Sequence, residues 1–390
     1  MSTARWSNAE LEAWRQHGDP PADEAVGRVL ASGNLGAVQA LMNTLVLNDA
    51  PVPSDLPPEL AGYLEETGRI EPSSLPSSEK GEALFAEFGP EMLMLLGCYS
   101  LPLTYSAKKG VHVLYRTGYL LRRPNRRVFE TLQMVVDVLS PGGLTPTGKG
   151  IRTAQKVRLM HAAIRTLILQ DREPPWDTGQ LGIPINQEDL AGTLMSFSWL
   201  VLDGLEKLDI HLSEDEQQAY LDAWLAVGRI MGVHPELLPA DMQEAGELTR
   251  RVLGQQIDPC EEARLLTQAL LDMLRECTPP GFQEFPAGLM RRFLPQDVAE
   301  GLCIPQCCLQ EHLAVAHSHL LGRAEQTLGG SCLGRPVRQF NIAFLQWLIN
   351  VDRGGRRAPF AIPDDLQKAW HLPLVKEQGF GERLLKWIAA

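Results

Sequence analysis

Apolar residues recur every three to four positions along most of this chain, which is the spacing of one face of an α-helix. Series of alternating apolar and polar residues, the pattern of a half-buried strand, do not stand out. The first ninety residues combine short helical segments with proline-rich connections at 50–58 and 71–76. From Glu91 onward the segments become longer and more apolar. The pattern predicts an all-α protein.

The ends of the predicted helices coincide with capping residues, prolines and glycine pairs, which begin or stop helices for stereochemical reasons. Asn186 is a good N-cap, and Ser213 with Glu216 has the spacing of a capping box. The stretch Ser140-Pro-Gly-Gly143 is a stop signal. Together these signals predict helices at 127–139, 153–170, 186–205, 213–231, 261–274, 309–321 and 337–349.

The contrast between the two parts of the chain also indicates its domain organisation. Residues 1–90 are predicted to form an N-terminal arm packed on the core, residues 91–330 the helical core, and residues 331–390 a C-terminal helical extension. A chain of 390 residues is long enough for one large domain or for two of ordinary size. Because no internal repeat is visible, we expect one large domain overall.

Composition and charge exclude several classes of protein. A formal charge of −12 disfavours a nucleic-acid binder, because neutralising phosphates requires a basic field. The longest apolar runs, such as 191–202, are too short to cross a bilayer. The first residues lack the apolar stretch of a secretory signal, and seven cysteines, an odd number, indicate reduced thiols. We therefore expect a cytoplasmic protein without a membrane span.

Two stretches resemble ligand-binding motifs but lack a required residue. The glycine-rich stretch 143–150 has Gly150 after Lys149, where a phosphate-binding loop needs Ser or Thr to hold magnesium. The cysteines between 303 and 308 contain no Cys-x-x-Cys pair and match no standard zinc spacing. The first stretch is predicted to be an interhelical turn, and the second carries no metal prediction.

His161 is a candidate iron ligand on the predicted helix 153–170. Helical spacing places it on an inward apolar stripe, with Arg158 and Arg165 one turn before and after it. A neutral imidazole offers a lone pair to iron, and guanidinium groups suit the two propionates of haem. The alternative is a core histidine with two arginines that reach the surface. The residues alone favour that alternative.

The preceding helix supplies a possible opposite wall. Arg127 and Thr131 lie on one stripe with apolar residues, and Glu130 lies beside them. Two consecutive helices separated by one turn connect Thr131 to His161, so the two helices can face each other across a slot, as in globin-like proteins that hold haem. The alternative is an ordinary helical hairpin, in which Glu130 pairs with Arg126 or Arg127 at the surface.

Several stretches, read together in order, resemble one known family. This family contains latex clearing protein (rubber oxygenase) and the mycophenolic acid oxygenases. No single stretch is specific, but their order over most of the first 230 residues is. The stretches are 18–23, 100–105, 126–131, 156–165 and 182–190.

The resemblance implies a globin-like helical haem-binding core with additional N- and C-terminal helices, and haem b bound without a covalent link. Residue by residue, His161 matches the family's iron ligand, and Arg158 and Arg165 match the arginines beside it. Arg127 and Thr131 match residues on the opposite side of the iron. The family uses iron and O₂ to cleave carbon–carbon double bonds in isoprenoid chains.

This sequence departs from the rubber-cleaving members at two positions. They have a lysine directly before the threonine, where this chain has Glu130. They also have a glutamate earlier in the chain, whereas no acidic residue lies between Tyr105 and Phe129 here. A carboxylate near iron can act as an acid or base, so Glu130 joins Arg127 and Thr131 as a candidate catalytic residue. The departures favour a small substrate over a polymer.

Three hypotheses about function follow. The first is a haem b-dependent oxygenase that acts with O₂ on an apolar small molecule, with isoprenoid or other unsaturated compounds as candidates. The second is a haem protein without this catalysis, such as a gas or haem sensor or a peroxidase-like protein. The third is a helical scaffold that has lost haem, with His161 packed in the core. The sequence carries no signal for the oligomeric state.

Overall fold

The computed structural model describes residues 5–31, 58–68, 76–122, 124–146, 148–171, 174–278 and 281–306. Every regular element in these ranges is a helix, and an isolated β-bridge joins Ala107 to Ile257. This confirms the prediction of an all-α fold. The finer prediction of a globin-like core stays a prediction. No helix in the same ranges is long and apolar enough to cross a membrane.

The helices are numbered here in chain order. The first eight are α1 Asn8–Trp14, α2 Pro20–Ala31, α3 Pro58–Thr67, α4 Pro76–Leu95, α5 Leu101–Tyr105, α6 Val111–Thr117, α7 Tyr119–Arg122 and α8 Pro124–Leu139. The remainder are α9 Lys149–Gln170, α10 Thr178–Leu181, α11 Gln187–Phe197, α12 Trp199–Lys207, α13 Glu214–Ile230, α14 Met242–Gln256, α15 Glu261–Cys277, α16 Phe285–Phe293 and α17 Gln296–Gly301. A π-helical turn, Leu96–Ser100, joins α4 to α5.

The predicted capping residues begin their helices as expected. The side chain of Asn186 accepts a hydrogen bond from the backbone N–H of Asp189 at the start of α11. Ser213 and Glu216 form the complete capping box at the start of α13. Each cap satisfies backbone donors that have no partner within the helix. The described residues 143–146 and 148 of the glycine-rich stretch form a turn before α9, as predicted, whereas Lys149 and Gly150 already belong to that helix.

Some predicted helix bounds are wrong. Helix α8 begins at Pro124 and α9 at Lys149, a few residues before the predicted starts. Proline at the first helical position costs no hydrogen bond, because the N–H that it lacks has no partner within the helix there. Pro124 can therefore be the first residue of α8. The predicted helix 186–205 divides at Ser198, which leaves helical geometry with φ −106° and ψ −82°. Its hydroxyl donates to the carbonyl of Leu194 at 2.8 Å.

Helix α4 runs through the predicted boundary between the arm and the core. It contains Pro90 in its interior and continues without interruption to Leu95. The boundary between residues 90 and 91 therefore falls inside a helix that packs against α13. The division into an arm and a core otherwise stays a prediction. The predicted helices 309–321 and 337–349 and the extension 331–390 lie outside the described residues.

Helix α9 lies between two apolar layers. One of its faces packs against α2 and α3 in a small apolar cluster that includes Val26, Leu60 and Ala162. Its other contacts are with α8 and α13, within the main core. Burying each large apolar side chain stabilises the fold by about 1.5–3 kcal/mol. The two layers fix the rotation of α9, and this rotation decides which of its side chains meet the interior.

Candidate functional site

A cavity of about 430 Å³ opens between the hairpin of α8 and α9 and the helices α5, α6, α11, α13 and α14. Its wall is predominantly apolar and includes Leu103, Met134, Ile164, Leu194, Val227 and Leu253. A predominantly apolar pocket with a few convergent polar groups is the usual form of a small-molecule site. The polar groups of this wall therefore decide what the cavity can bind.

His161 lies on the α9 wall of this cavity. Burial lowers the pKa of His161 from its usual value of 6.5 to about 3, and the positive charges of Arg165 and Arg127 add to that effect. The ring is therefore neutral at physiological pH. Its Nδ1 is buried and has no hydrogen-bond partner among the described residues. A neutral imidazole with an unpaired nitrogen at the wall of a cavity fits the chemistry of an iron ligand.

The three candidate residues of α8 line the same cavity as His161. Arg127 donates from Nη1 to the hydroxyl of Thr131 at 2.7 Å, and that hydroxyl donates to the carbonyl of Arg127 at 3.2 Å. The guanidinium is thereby held along α8 beside the cavity. Glu130 is half-buried in the same wall. The structure thus places His161, Arg127, Glu130 and Thr131 on the wall of one cavity, which is one of the two arrangements that their helical spacing allowed.

Tyr105 is a further polar residue of the cavity to which the sequence assigned no role. Its ring is almost fully buried at the end of α5. Burial raises the pKa of this phenol, although the charge of Arg127 opposes the rise. The phenol is therefore protonated over the whole physiological range. Tyr105 closes the stretch 100–105 that the family resemblance includes, and that was its one sequence signal.

Arg158 and Arg165 are not among the residues that line the cavity. Arg158 donates from Nε and Nη2 to the two carboxylate oxygens of Asp19, at 2.6 and 2.7 Å, and from Nη1 to the carbonyl of Ile230. Arg165 binds Asp23 and donates to two backbone carbonyls. Both guanidinium groups are buried with protein partners. They join α2 to α9, and their binding of haem propionates stays a prediction.

The backbone around these arginines has an unusual geometry. Gly232 has φ +82°, and a β-carbon there would lie 2.5 Å from Nε of Arg158, so only glycine fits. Ile185 has φ +53°, a conformation that β-branched residues rarely adopt. The carbonyl of Ile185 accepts from Nη2 of Arg165 at 2.8 Å, and the carbonyl of Pro184 accepts from its Nε at 2.9 Å. The arginine fork therefore supports the strained segment.

A buried ion cluster of Arg15, Glu188 and Asp189 lies beside the cavity. Nη1 of Arg15 is 2.5 Å from Oε2 of Glu188 and 2.9 Å from Oδ1 of Asp189. Burial opposes the charge of Arg15, but the two carboxylates outweigh it and raise the pKa of the guanidinium. No sequence signal pairs Arg15, which lies far away in the chain, with these two acidic residues.

The metal chemistry available to the described ranges is limited. They contain no group of three or more histidine, cysteine, aspartate or glutamate side chains that could hold a metal ion. Iron in a porphyrin is different, because the macrocycle provides most of the ligands and one protein side chain suffices. His161 alone can therefore fulfil the protein's part in holding haem iron.

Comparisons with known proteins show the family and the fold of the chain. Residues 86–324 match the family described as ER-bound oxygenase mpaB/B'/Rubber oxygenase, catalytic domain. The chain is 28% identical over 352 residues to the rubber oxygenase of Streptomyces sp. (strain K30), a match that covers 89% of this chain and 85% of that protein. Its fold is similar to latex clearing protein solved in the closed state, with a TM-score of 0.73 and 24% identity, over 90% of this chain and 95% of that one.

Proposed function

The chain belongs to the family of mpaB-type and rubber oxygenase catalytic domains and is an oxygenase enzyme. On this premise, we propose that it depends on haem b and acts with O₂ on an apolar, unsaturated small molecule. One observation carries the proposal: the neutral, buried imidazole of His161 lies in the same apolar cavity as Arg127 and Thr131. An oxygenase of this kind needs an iron ligand, a polar group near the iron and an apolar space for substrate.

The residues around His161 fit a flat macrocycle. Ala163, two residues after His161 on α9, also lines the cavity. Its small side chain leaves room beside the imidazole. When bound, haem b would supply an iron that binds and activates O₂. His161 would be its one protein ligand, held neutral by burial.

The opposite wall would supply polarity. Arg127, fixed by its hydrogen bond to Thr131, presents a positive charge at the cavity, and such a charge stabilises negative charge that develops on oxygen. Glu130 would hold or move a proton at its carboxylate, at the position where rubber-cleaving relatives have a lysine. The apolar wall would exclude water and hold an alkene close to these groups.

Absorption spectroscopy tests the cofactor and its ligand. The purified protein supplied with haemin is expected to show a Soret band that changes between the oxidised and reduced forms. His161→Ala should abolish or shift this band, because the iron loses its protein ligand. His211→Ala is the matched control, since His211 is exposed and pairs with Glu206. A wild-type protein without a Soret band, or a band that His161→Ala leaves unchanged, contradicts the proposal.

Oxygen consumption then separates an oxygenase from a haem protein of another kind. We expect O₂ uptake when reduced, haem-loaded protein is mixed with an unsaturated apolar compound, and none with the saturated analogue. Arg127→Leu should lower the rate by about a hundred- to a thousandfold, the range seen when one stabilising donor is removed. A Soret band without uptake on any alkene would favour a gas or haem sensor.

A further inference from the structure

Gln256, the last residue of α14, has an amide oxygen with no hydrogen-bond partner among the described residues. Its side chain is almost fully buried and lines the cavity that contains His161. Nε2 donates to both carboxylate oxygens of Glu188, at 2.9 and 3.2 Å. Oε1 is buried and accepts no hydrogen bond from any group in the described part of the chain. The cavity wall therefore contains a hydrogen-bond acceptor without a donor.

The orientation of this amide follows from its neighbours. Glu188 is fully buried, and burial raises the pKa of its carboxyl group, but the guanidinium of Arg15 opposes that rise and pairs with the carboxylate at 2.5 Å. A carboxylate only accepts hydrogen bonds, so the nitrogen of Gln256 must face it and the oxygen must face away. The backbone is fixed as well, because the carbonyl of Gln256 accepts from the N–H of Lys108 at 2.8 Å. The oxygen is therefore the end of the amide that has no partner among the described residues, on a side chain that lines the cavity.

Charge makes this oxygen selective. Hydrogen bonds to Glu188 polarise the amide and make Oε1 a stronger acceptor. The buried ion cluster beside it has one positive and two negative side chains, so its net charge disfavours an anionic group nearby. A hydrocarbon or an ether leaves the acceptor unpaired, which costs free energy. A hydroxyl group offers the missing donor without adding charge.

We propose that Oε1 of Gln256 determines substrate specificity by accepting a hydrogen bond from a hydroxyl group, so that the substrate is an apolar, unsaturated alcohol. The inference rests on the proposed function, because it names the substrate class of the same cavity. Gln256 is a specificity-determining residue: it positions one polar end of the substrate, while the apolar wall accommodates the rest.

Binding of three matched probes tests this directly. Geraniol carries a hydroxyl, geranyl methyl ether has nearly the same shape without a donor, and geranic acid is an anion at neutral pH. By isothermal titration calorimetry on the purified protein, geraniol should bind about tenfold more tightly than the ether, the usual effect of one hydrogen bond. Geranic acid should bind most weakly. Equal affinities for geraniol and the ether overturn the proposal.

A variant pair assigns the preference to the amide. Gln256→Leu should reduce the alcohol-to-ether ratio from about tenfold to less than about twofold. Leu253→Val changes an apolar part of the same wall and should keep the ratio, whatever its effect on absolute affinity. If Gln256→Leu is folded, as checked by circular dichroism, and still prefers the alcohol about tenfold over the ether, the assignment is overturned. If that variant does not fold, the wild-type comparison of alcohol with ether still decides.

The calorimetric ratio is independent of the haem chemistry. A protein without a Soret band or O₂ uptake, but with a tenfold preference for geraniol, would contradict the proposed function and support the hydroxyl subsite. A haem-loaded, active oxygenase that binds geraniol and its ether equally would support the proposed function and contradict the hydroxyl subsite. The two failures are therefore distinguishable.

Discussion

The imidazole of His161 binds protons far less readily in the fold than it does in water. Burial removes the solvent that stabilises the charged ring, and Arg165 and Arg127 add repulsion. The consequence is a lone pair that stays available at every physiological pH. The sequence predicted the residue and its apolar stripe, but it contained no measure of burial, so it favoured a packing role on the residues alone.

The titration of His161 gives the first residue-scale prediction. In haem-free protein, its NMR signals should not titrate between pH 5 and 8, because its pKa is about 3. The matched control is exposed His211, whose hydrogen bond to Glu206 raises its pKa, so its midpoint should lie above 6.5. A midpoint near 6.5 for His161 would mean that the ring is solvated and would contradict the burial.

The same shift has a consequence for acid stability. In the unfolded chain the imidazole takes up a proton below about pH 6.5, whereas the folded protein resists it down to about pH 3. The contribution of neutral His161 to stability is therefore complete above pH 6.5 and is lost as the pH falls from 6.5 towards 3. Urea unfolding at pH 7.5 and 5 should show this decrease, and it should be smaller in His161→Leu.

At the level of the element, α9 carries two different sets of side chains. His161 and Ile164 meet the cavity, while Arg158 and Arg165 bind Asp19 and Asp23 at the start of α2. The helical period placed both arginines close to the histidine face. Their acidic partners lie more than a hundred residues away, so the sequence suggested haem propionates as the anions.

Breaking the Arg158–Asp19 pair should destabilise the protein strongly. Arg158→Met leaves a buried carboxylate without its counter-charge, and the expected cost is about 3–5 kcal/mol in urea unfolding. The control is Arg28→Met in α2, which removes an exposed pair with Glu24 and should cost no more than about 0.5 kcal/mol.

The double variant Asp19→Ala with Arg158→Met separates charge from packing. It removes both charges, so much of the lost stability should return. If the single variant Arg158→Met is as stable as the Arg28→Met control, then the pair does not hold α2 against α9. If the double variant loses as much stability as the single variants Asp19→Ala and Arg158→Met together, and both losses are large, the effect comes from packing rather than from an unpaired charge.

For the whole molecule, three separate stretches of the sequence meet around α9. The acidic residues of 18–23 bind the arginines of 156–165, and the carbonyls of 182–190 accept from Arg165. These are three of the five stretches that carried the family resemblance. The resemblance therefore reflects a shared frame around the histidine helix as well as the site itself.

Haem binding should stabilise the whole fold, because α9 connects the cavity to the helices on its other side. Haemin at about a hundred times its dissociation constant is expected to add roughly 2.7 kcal/mol and to raise Tm by roughly 3 °C or more. In His161→Ala at the same haemin concentration, Tm should rise by less than about 1 °C. Differential scanning calorimetry measures both, and equal rises in the two proteins would contradict specific ligation by His161.

The sequence by itself determined the all-α class, most helix positions and the caps at Asn186 and Ser213, and it offered a slot shared by His161, Arg127, Glu130 and Thr131 as one of two interpretations. These features depend on local spacing, because residues three or four apart on one helix share a face and two consecutive helices pack together. The tertiary structure alone decided the partners of Arg158 and Arg165, the ion cluster at Arg15 and the unpaired oxygen of Gln256. Each depends on groups that lie far apart in the chain, and only packing brings such groups together.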